Sequence, residues 1–279
     1  MQIHLANPIT AAQWQKRLAG HLCADKQRPF LVWTSASHET RMAPNGFPAD
    51  NVFAPDAPVL DDLTNDTVIF LDWDDTLLAS TWVGKLGLRP KYVNEKPIIP
   101  DDVKSQLEEL EDCVVELLES AVKYGRVVII TAAETGWVEL SASLFMPRCL
   151  PIISEHIKVV SARSTYEDLY PGSPKKWKIE AFQHEVYYCD SVADNSSPPK
   201  HIISIGDGPT EREALINLKM SSSGRSPFHA KSLKLITYPN AIELKMEVRL
   251  LLDNLHTLCT HEEDMDLQIS KEAIAAQSA

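Results

Sequence analysis

The chain has 279 residues, 44% of them hydrophobic and 24% charged, which is enough apolar material for a sizeable core in one large domain or one domain with appendages. A formal net charge of −12 and the lack of a basic stripe interleaved with aromatics argue against a polyanion-binding surface, so no nucleic-acid partner is expected. No apolar run approaches the roughly 18 residues of a membrane span, so no membrane partner is expected either.

The amino-terminal stretch MQIHLANPITAAQWQKRLAG lacks a basic region followed by a continuous apolar core, and a secretory signal is not expected. Cys23, Cys113, Cys149, Cys189 and Cys259 are scattered and show no CxxC spacing. They read as reduced thiols of an intracellular, cytoplasmic protein, and not as a zinc site or a nucleophile.

Residues 1–62 form an extension of unknown role. A short amphipathic helix is expected at 11–22 and a strand at 30–34, with Trp14, Phe30 and Trp33 as packing residues. The stretch APNGFPADNVFAPDAPV that comes next is loop-like. From Thr67 the pattern changes. TVIFL is short, apolar and β-branched, and reads as a buried parallel strand. Residues 77–92, with Trp82, Arg89, Lys91 and Tyr92, form either a small flap at the site or a connecting loop.

Pro100 and Asp101 then introduce a long helix. Asp101 is placed to cap it, Val103, Leu107, Leu110, Val114, Leu117 and Leu118 recur at helical spacing, and Gly125 stops it. VVIIT comes next as a second strand, then a helix near 136–145 and an IKVVSA strand near Ile157. Ser173-Pro174 opens the next helix, with Pro where its missing N–H does no harm. HIISIGDG is the fourth strand, LKLITY from Leu233 the fifth, and a last helix spans about 241–258. Residues 259–279 read as a polar tail. This alternation implies an α/β architecture over residues 63–258, a doubly wound parallel sheet of about five strands with helices on both faces.

Ligands of such folds bind beyond the carboxyl ends of the strands. Asp72-Trp73-Asp74-Asp75-Thr76 stands after the first strand, Thr131 ends the second, and Gly206-Asp207-Gly208 with Glu211 stands after the fourth. Carboxylates gathered so closely repel one another, and an oxygen-only donor set of this kind fits Mg²⁺. Along an extended chain Asp72 and Asp74 project to one side while Trp73 points away. Two adjacent carboxylates can divide labour as nucleophile and general acid/base. Taken singly, each of these features is ordinary cap or turn chemistry.

These residues resemble the motifs of the haloacid dehalogenase (HAD) superfamily: FLDWDDTLL, VVIIT and IISIGDGPTE, in the family's order. DWDDTLL together with WK-x-x-AF also resembles a subgroup of eukaryotic HAD-like proteins from protists and algae. The resemblance implies a Rossmann-like fold and a Mg²⁺-dependent phosphohydrolase of the phosphatase branch. It implies Asp72 as the nucleophile that forms an aspartyl-phosphate, and Asp74 as general acid/base. Thr131 would bind phosphate, and Asp72, Asp74 (through its carbonyl), Asp207 and Glu211 would surround the metal.

For the family's phosphate-binding lysine, SPKKWKIEAF offers Lys175, Lys176 and Lys178. Lys178 shares the face of Ala181 and Phe182, where a buried cation wants an anionic partner, and is taken as that residue. Neither interval between the motifs holds an independently folded domain, so the resemblance implies a capless or minimally capped enzyme. Such an open site suits a phosphoprotein or another large phosphorylated substrate. Two further readings stay open: a non-catalytic metal- and phosphate-binding module, and a phosphotransferase using the same aspartyl-phosphate.

Overall fold

Alternation within the apolar strands decides what the sheet faces. In strand β1 (Thr67–Leu71), Ile69 and Leu71 enter one hydrophobic cluster while Val68 and Phe70 enter another on the opposite face. Strand β2 (Arg126–Thr131) repeats the division, with Val127 and Ile129 on the first face and Val128 and Ile130 on the second. A strand buried on both faces has no polar side, which is why these runs are continuously apolar.

The computed structural model describes residues 66–92, 95–187, 199–222, 227–271 and 274. The helix and strand expected within 1–62 lie outside the described residues, as do Trp14, Phe30 and Trp33. The remaining strands are β3 (Lys158–Ser161), β4 (His201–Gly206), β5 (His229–Lys234) and β6 (Met265–Gln268). All pair in parallel, in the order β3-β2-β1-β4-β5-β6. The chain runs outward from β1 to β3, then restarts on the other side of β1 at β4. This reversal opens a crevice beyond the carboxyl ends of β1 and β4.

Eight helices are described: α1 (Ser80–Lys85), α2 (Asp101–Tyr124), α3 (Trp137–Phe145), α4 (Cys149–His156), α5 (Ala162–Tyr166), α6 (Pro174–Tyr187), α7 (Pro209–Ser221) and α8 (Ala241–Thr260). Helices α2, α3, α4 and α8 cover the first face; α5, α6 and α7 cover the second. Phe182 of α6 packs its ring 4.3 Å from that of Phe70, fixing the helix over β1. Asn240 opens α8 with a reciprocal cap, accepting from Glu243 N–H while the Glu243 carboxylate accepts from Asn240 N–H. No helix among the described residues is long and apolar enough to cross a membrane.

Four expectations need correction. The sheet has six strands, because the segment expected as a polar tail supplies β6, and its Met265, Leu267 and Ile269 are buried. The fifth strand begins at His229 and not at Leu233, since Lys231 is itself a buried strand residue. Asp101 is the first residue of α2 and makes no side-chain cap; with Asp102 it lies where the helix dipole favours negative charge. Gly125 ends α2 in extended conformation (φ 169°), so left-handed freedom is not what it supplies. A Cβ there would overlap the Thr67 carbonyl, so glycine lets the chain turn tightly beneath β1.

Residues 77–92 are not a free loop throughout. Leu77, Leu78, Ala79, Val83 and Leu88 are buried, while Arg89 and Tyr92 are exposed. The segment is anchored at its base and open at its tip.

Candidate active site

The site grows from the carboxyl end of β1. Asp72 N–H continues the ladder to the Ile205 carbonyl at 3.0 Å, which sets the parity of the next residues along the chain. Asp72 turns toward the α6 face. Trp73 turns the other way and is fully buried, its indole N–H donating to Ser141 Oγ at 2.9 Å. The chain then tightens: Asp75 N–H bonds the Leu78 carbonyl, Asp75 takes a positive φ of 55°, and its Oδ1 accepts from Thr81 N–H at 2.9 Å. This turn presents Asp74 toward the end of β2.

Lys178 of α6 is 1% exposed and reaches Asp72 Oδ1 at 2.9 Å. Its ammonium also pairs with Glu211 Oε1, which accepts from Thr210 Oγ1 at 2.9 Å as well. Trp73 N–H donates to the same Asp72 Oδ1 at 2.8 Å. Of the three lysines in the α6 sequence, Lys178 alone enters this cluster. Lys175 pairs with Glu213 at 3.0 Å, and Lys176 lies over the Tyr170 ring.

Thr131 ends β2 with its hydroxyl oriented by Ala133 N–H at 3.0 Å, and it donates to Asp74 Oδ2 at 3.3 Å. Asp74 Oδ1 accepts from the Trp137 indole N–H at 2.8 Å. Beyond β4, Asp207 is fixed through its main chain. Its N–H donates to Thr76 Oγ1 and its carbonyl accepts from Thr237 Oγ1, both at 3.1 Å. Asp72, Asp74, Thr131, Lys178, Asp207 and Glu211 are thus brought together at the sheet's crevice.

The charges do not balance. Two carboxylates share Lys178, and they respond in opposite directions. Glu211 is held below its usual range by the lysine, despite burial. Asp72 is pushed up to about 8, because burial outweighs the attraction of Lys178 and Glu211 repels it. Asp207 is pushed up to about 7, first by burial and then by Glu211 and Asp75. One lysine therefore neutralises one carboxylate, Glu211, and Asp72 and Asp207 are left short of positive charge.

Among the described residues, no group of three or more His, Cys, Asp or Glu side chains is arranged to hold a metal by side chains alone. Mg²⁺ asks for less: one or two carboxylates, with water and carbonyl oxygens completing an octahedron. Asp72 and Asp207 are the two carboxylates that gain most from a cation, so the donor set fits Mg²⁺. Glu211 fits as the counter-charge of Lys178. Its second oxygen is buried without a partner against Gly206 and Gly208, where a Cβ on Gly206 would overlap it.

A cavity of about 520 Å³ runs along the β3 edge, lined by Thr131, Thr135, Val138, Lys158, Ser161 and Tyr166 among others. None of Asp72, Asp74 and Asp207 lines it, so it is not the seat of the acidic cluster. The described cysteines play no part either. Cys113, Cys149 and Cys259 are buried free thiols, and burial pushes Cys149 and Cys259 up to about 12.

Sequence reasoning missed Trp137 and Thr237 as neighbours of the site, and placed Arg89 only within a flap or connecting loop. Thr76 lay inside the first motif but had no assigned role. Trp137 meets Asp74 across 63 positions, a contact no local pattern records. No family model and no curated protein matches the chain. Among solved structures it is similar to cytosolic 5'-nucleotidase IIIB bound to cytidine, at 9% identity over 79% of this chain and 88% of that chain, with a TM-score of 0.33. A likeness that weak carries no argument, and the functional reading rests on the site itself.

Proposed function

We propose that the chain is a Mg²⁺-dependent phosphomonoesterase in which Asp72 carries the phosphoryl group as an aspartyl-phosphate. The observation that carries this reading is the buried Lys178–Asp72 ion pair at the carboxyl end of the central strand, at the topological switch point beside Thr131, Asp74 and Asp207. A binding module has no need of a second carboxylate, Asp74, aimed beside the first.

Asp72 attacks phosphorus, and the bond from phosphorus to the leaving oxygen breaks. Asp74 gives that oxygen a proton. In the second half Asp74 takes a proton from water, the water oxygen attacks phosphorus, and the bond to Asp72 breaks to release phosphate. The Thr131 hydroxyl and the Lys178 ammonium hold the phosphoryl oxygens, while Glu211 holds Lys178. Asp72, the Asp74 carbonyl and Asp207 would hold Mg²⁺, which supplies charge neutralisation for a dianionic ester approaching an acidic pocket. The described residues 95–187 hold no inserted folded domain, which supports an open crevice and a phosphoprotein or another large phosphorylated substrate. The buried thiols suit an intracellular compartment, where cysteines stay reduced.

Hydrolysis of a series of phosphomonoesters by the purified protein tests this reading. Turnover should require Mg²⁺, stop with EDTA, and fall by about 10³-fold or more in Asp72→Asn, whose amide is a far poorer nucleophile. Activity that survives this substitution removes Asp72 as nucleophile. An added alcohol that appears as a phosphate ester would identify phosphotransfer in place of hydrolysis.

A further inference from the structure

Asp74 is held at both oxygens, and the two holds are unequal. On one side the Trp137 indole N–H meets Oδ1 at 2.8 Å, near the best length for such a bond. On the other the Thr131 hydroxyl meets Oδ2 at 3.3 Å, a longer and weaker contact. Thr131 takes its orientation from Ala133 N–H, which occupies a lone pair and leaves the hydroxyl proton free to swing. Trp137 has no such freedom. It is the first residue of α3, entered through Gly136 at φ 89°, and the next turn of that helix is buried at Val138 and Ser141. From the solvent side, the Arg89 guanidinium lies 4.5 Å from the centre of the Trp137 ring. Among the described residues no carboxylate pairs with Arg89, so the stacked indole is its partner.

We propose that Trp137 is the residue that aims Asp74 at the leaving oxygen, and that Arg89 clamps Trp137 in place. This deepens the phosphomonoesterase reading of the site and rests on it. When a phosphoryl group arrives, the Thr131 proton turns to a phosphoryl oxygen and releases Asp74 Oδ2. Trp137 keeps Oδ1, so the carboxyl group cannot rotate away, and Oδ2 is the oxygen that delivers the proton. An indole is suited to this task, being a donor that can neither ionise nor accept the proton itself. Trp137 is a positioning residue, because it acts through Asp74, to which its indole N–H donates.

The role predicts a dependence on leaving group that a structural role does not. A nitrophenolate departs without protonation, whereas an alkoxide needs the proton from Asp74. The test compares wild type, Trp137→Phe and Arg89→Ala on 4-nitrophenyl phosphate and on an alkyl phosphate, with Asp72→Asn as control. Phenylalanine keeps the ring and removes the donor. Trp137→Phe should lower kcat/KM on the alkyl ester, which reports loss of the leaving group and not the later hydrolysis of the aspartyl-phosphate, by about 10-fold or more, since general acid catalysis is worth roughly 10²–10⁴-fold and the aim is only partly lost. On the nitrophenyl ester the fall should stay within about threefold for the same reason. Arg89→Ala should show the same split at smaller size. Equal losses in kcat/KM on both esters, or none on either, overturn the positioning role while leaving Asp72 as nucleophile. Wild-type turnover that Asp72→Asn does not reduce, or no turnover of any ester, overturns the phosphatase reading and this role with it.

Discussion

Two lysines are buried to the same degree at opposite ends of the sheet. Lys178 is 1% exposed at the carboxyl end and Lys231 is 0% exposed near the amino end. Lys178 sits between two carboxylates, and their attraction raises its pKa despite burial. Lys231 has carbonyls in their place. Its ammonium meets the Leu258 carbonyl at 2.6 Å and the Cys259 carbonyl at 3.4 Å, closing the end of α8, with His201 Nδ1 at 3.1 Å. Burial pushes Lys231 down to about 8, and pushes His201 down to about 4 with Lys231 adding to the effect. Carbonyl dipoles satisfy the hydrogen bonds of a buried ammonium but do not replace a counter-charge. The carboxyl end holds an excess of buried anions around one cation, and this is the proposed catalytic site. The amino end holds a cation in contact with carbonyls, with Asp264 and Glu262 acting on it only from a distance, and this is a helix cap.

Lys178→Met should break this comparison most severely. It leaves Asp72 and Glu211 buried with no cation, a loss of about 3–5 kcal/mol when both are ionised. The sign with pH comes from linkage. Each carboxyl would have a folded pKa above its unfolded one, so the folded state binds more protons between those values and stability falls as pH rises through them. The variant should therefore be less impaired near pH 5 than near pH 8 in urea unfolding, and Mg²⁺ should recover part of the loss at the higher pH. A deficit that does not change with pH would mean that lost packing, and not unpaired charge, is the cause.

Lys231→Met should have a smaller effect, below about 2 kcal/mol at neutral pH, because an apolar side chain of similar length removes a buried charge that has no carboxylate in contact. Here the sign is reversed. The folded pKa of about 8 lies below the usual 10.5, so the unfolded state binds more protons between them and wild-type stability rises across that window. The melting temperature of wild type should gain on that of the variant from pH 7.5 to pH 10. A constant difference would show that Lys231 stays charged throughout.

The contrast between the two ends also explains what the sequence revealed. β1, β2 and β4 were legible because burial on both faces makes an unbroken apolar run, and the acids of the site stand directly after such runs. HAKSLK hid β5, since Lys231 and His229 break the run, for reasons supplied only by the end of α8 for Lys231 and by the His201 ring for His229. MDLQ hid β6 because an edge strand of four residues alternates too briefly to stand out from a polar segment. Helices α4 and α5 have eight and five residues, too short for a period of 3.6 to declare itself. Lys178 was legible from the apolar face it shares with Phe182. Its pairing with Glu211 was not, because that depends on how α6 and α7 lie side by side.

Glu247 supplies the finest test, a buried acid that Lys234 acts on only from a distance. It lies on the inner face of α8 at 0% exposure, where Oε1 accepts from Ile236 N–H at 2.6 Å and Oε2 is buried without a partner. Burial pushes it up to about 8, with Glu243 and Asp207 adding repulsion. At neutral pH it is therefore the neutral acid, and glutamine copies both its shape and its accepting oxygen. The folded pKa lies above the usual 4.5, so glutamate loses stability as pH rises from that value toward 8, whereas glutamine does not. Glu247→Gln and wild type should thus unfold alike near pH 4.5. By pH 8 the variant should be the more stable by about 1 kcal/mol, a value kept well below the full linkage limit because buried sites relax. The Ile236 N–H anchors the turn that carries Thr237 to the Asp207 carbonyl, so the phosphatase activity proposed for the site should be retained in this variant. Glu247→Ala, which frees that N–H, should lose stability at every pH. If glutamine instead destabilises the fold at pH 8, Glu247 is ionised there and has a cationic partner, and the rule drawn from Lys178 and Lys231 does not extend to buried acids.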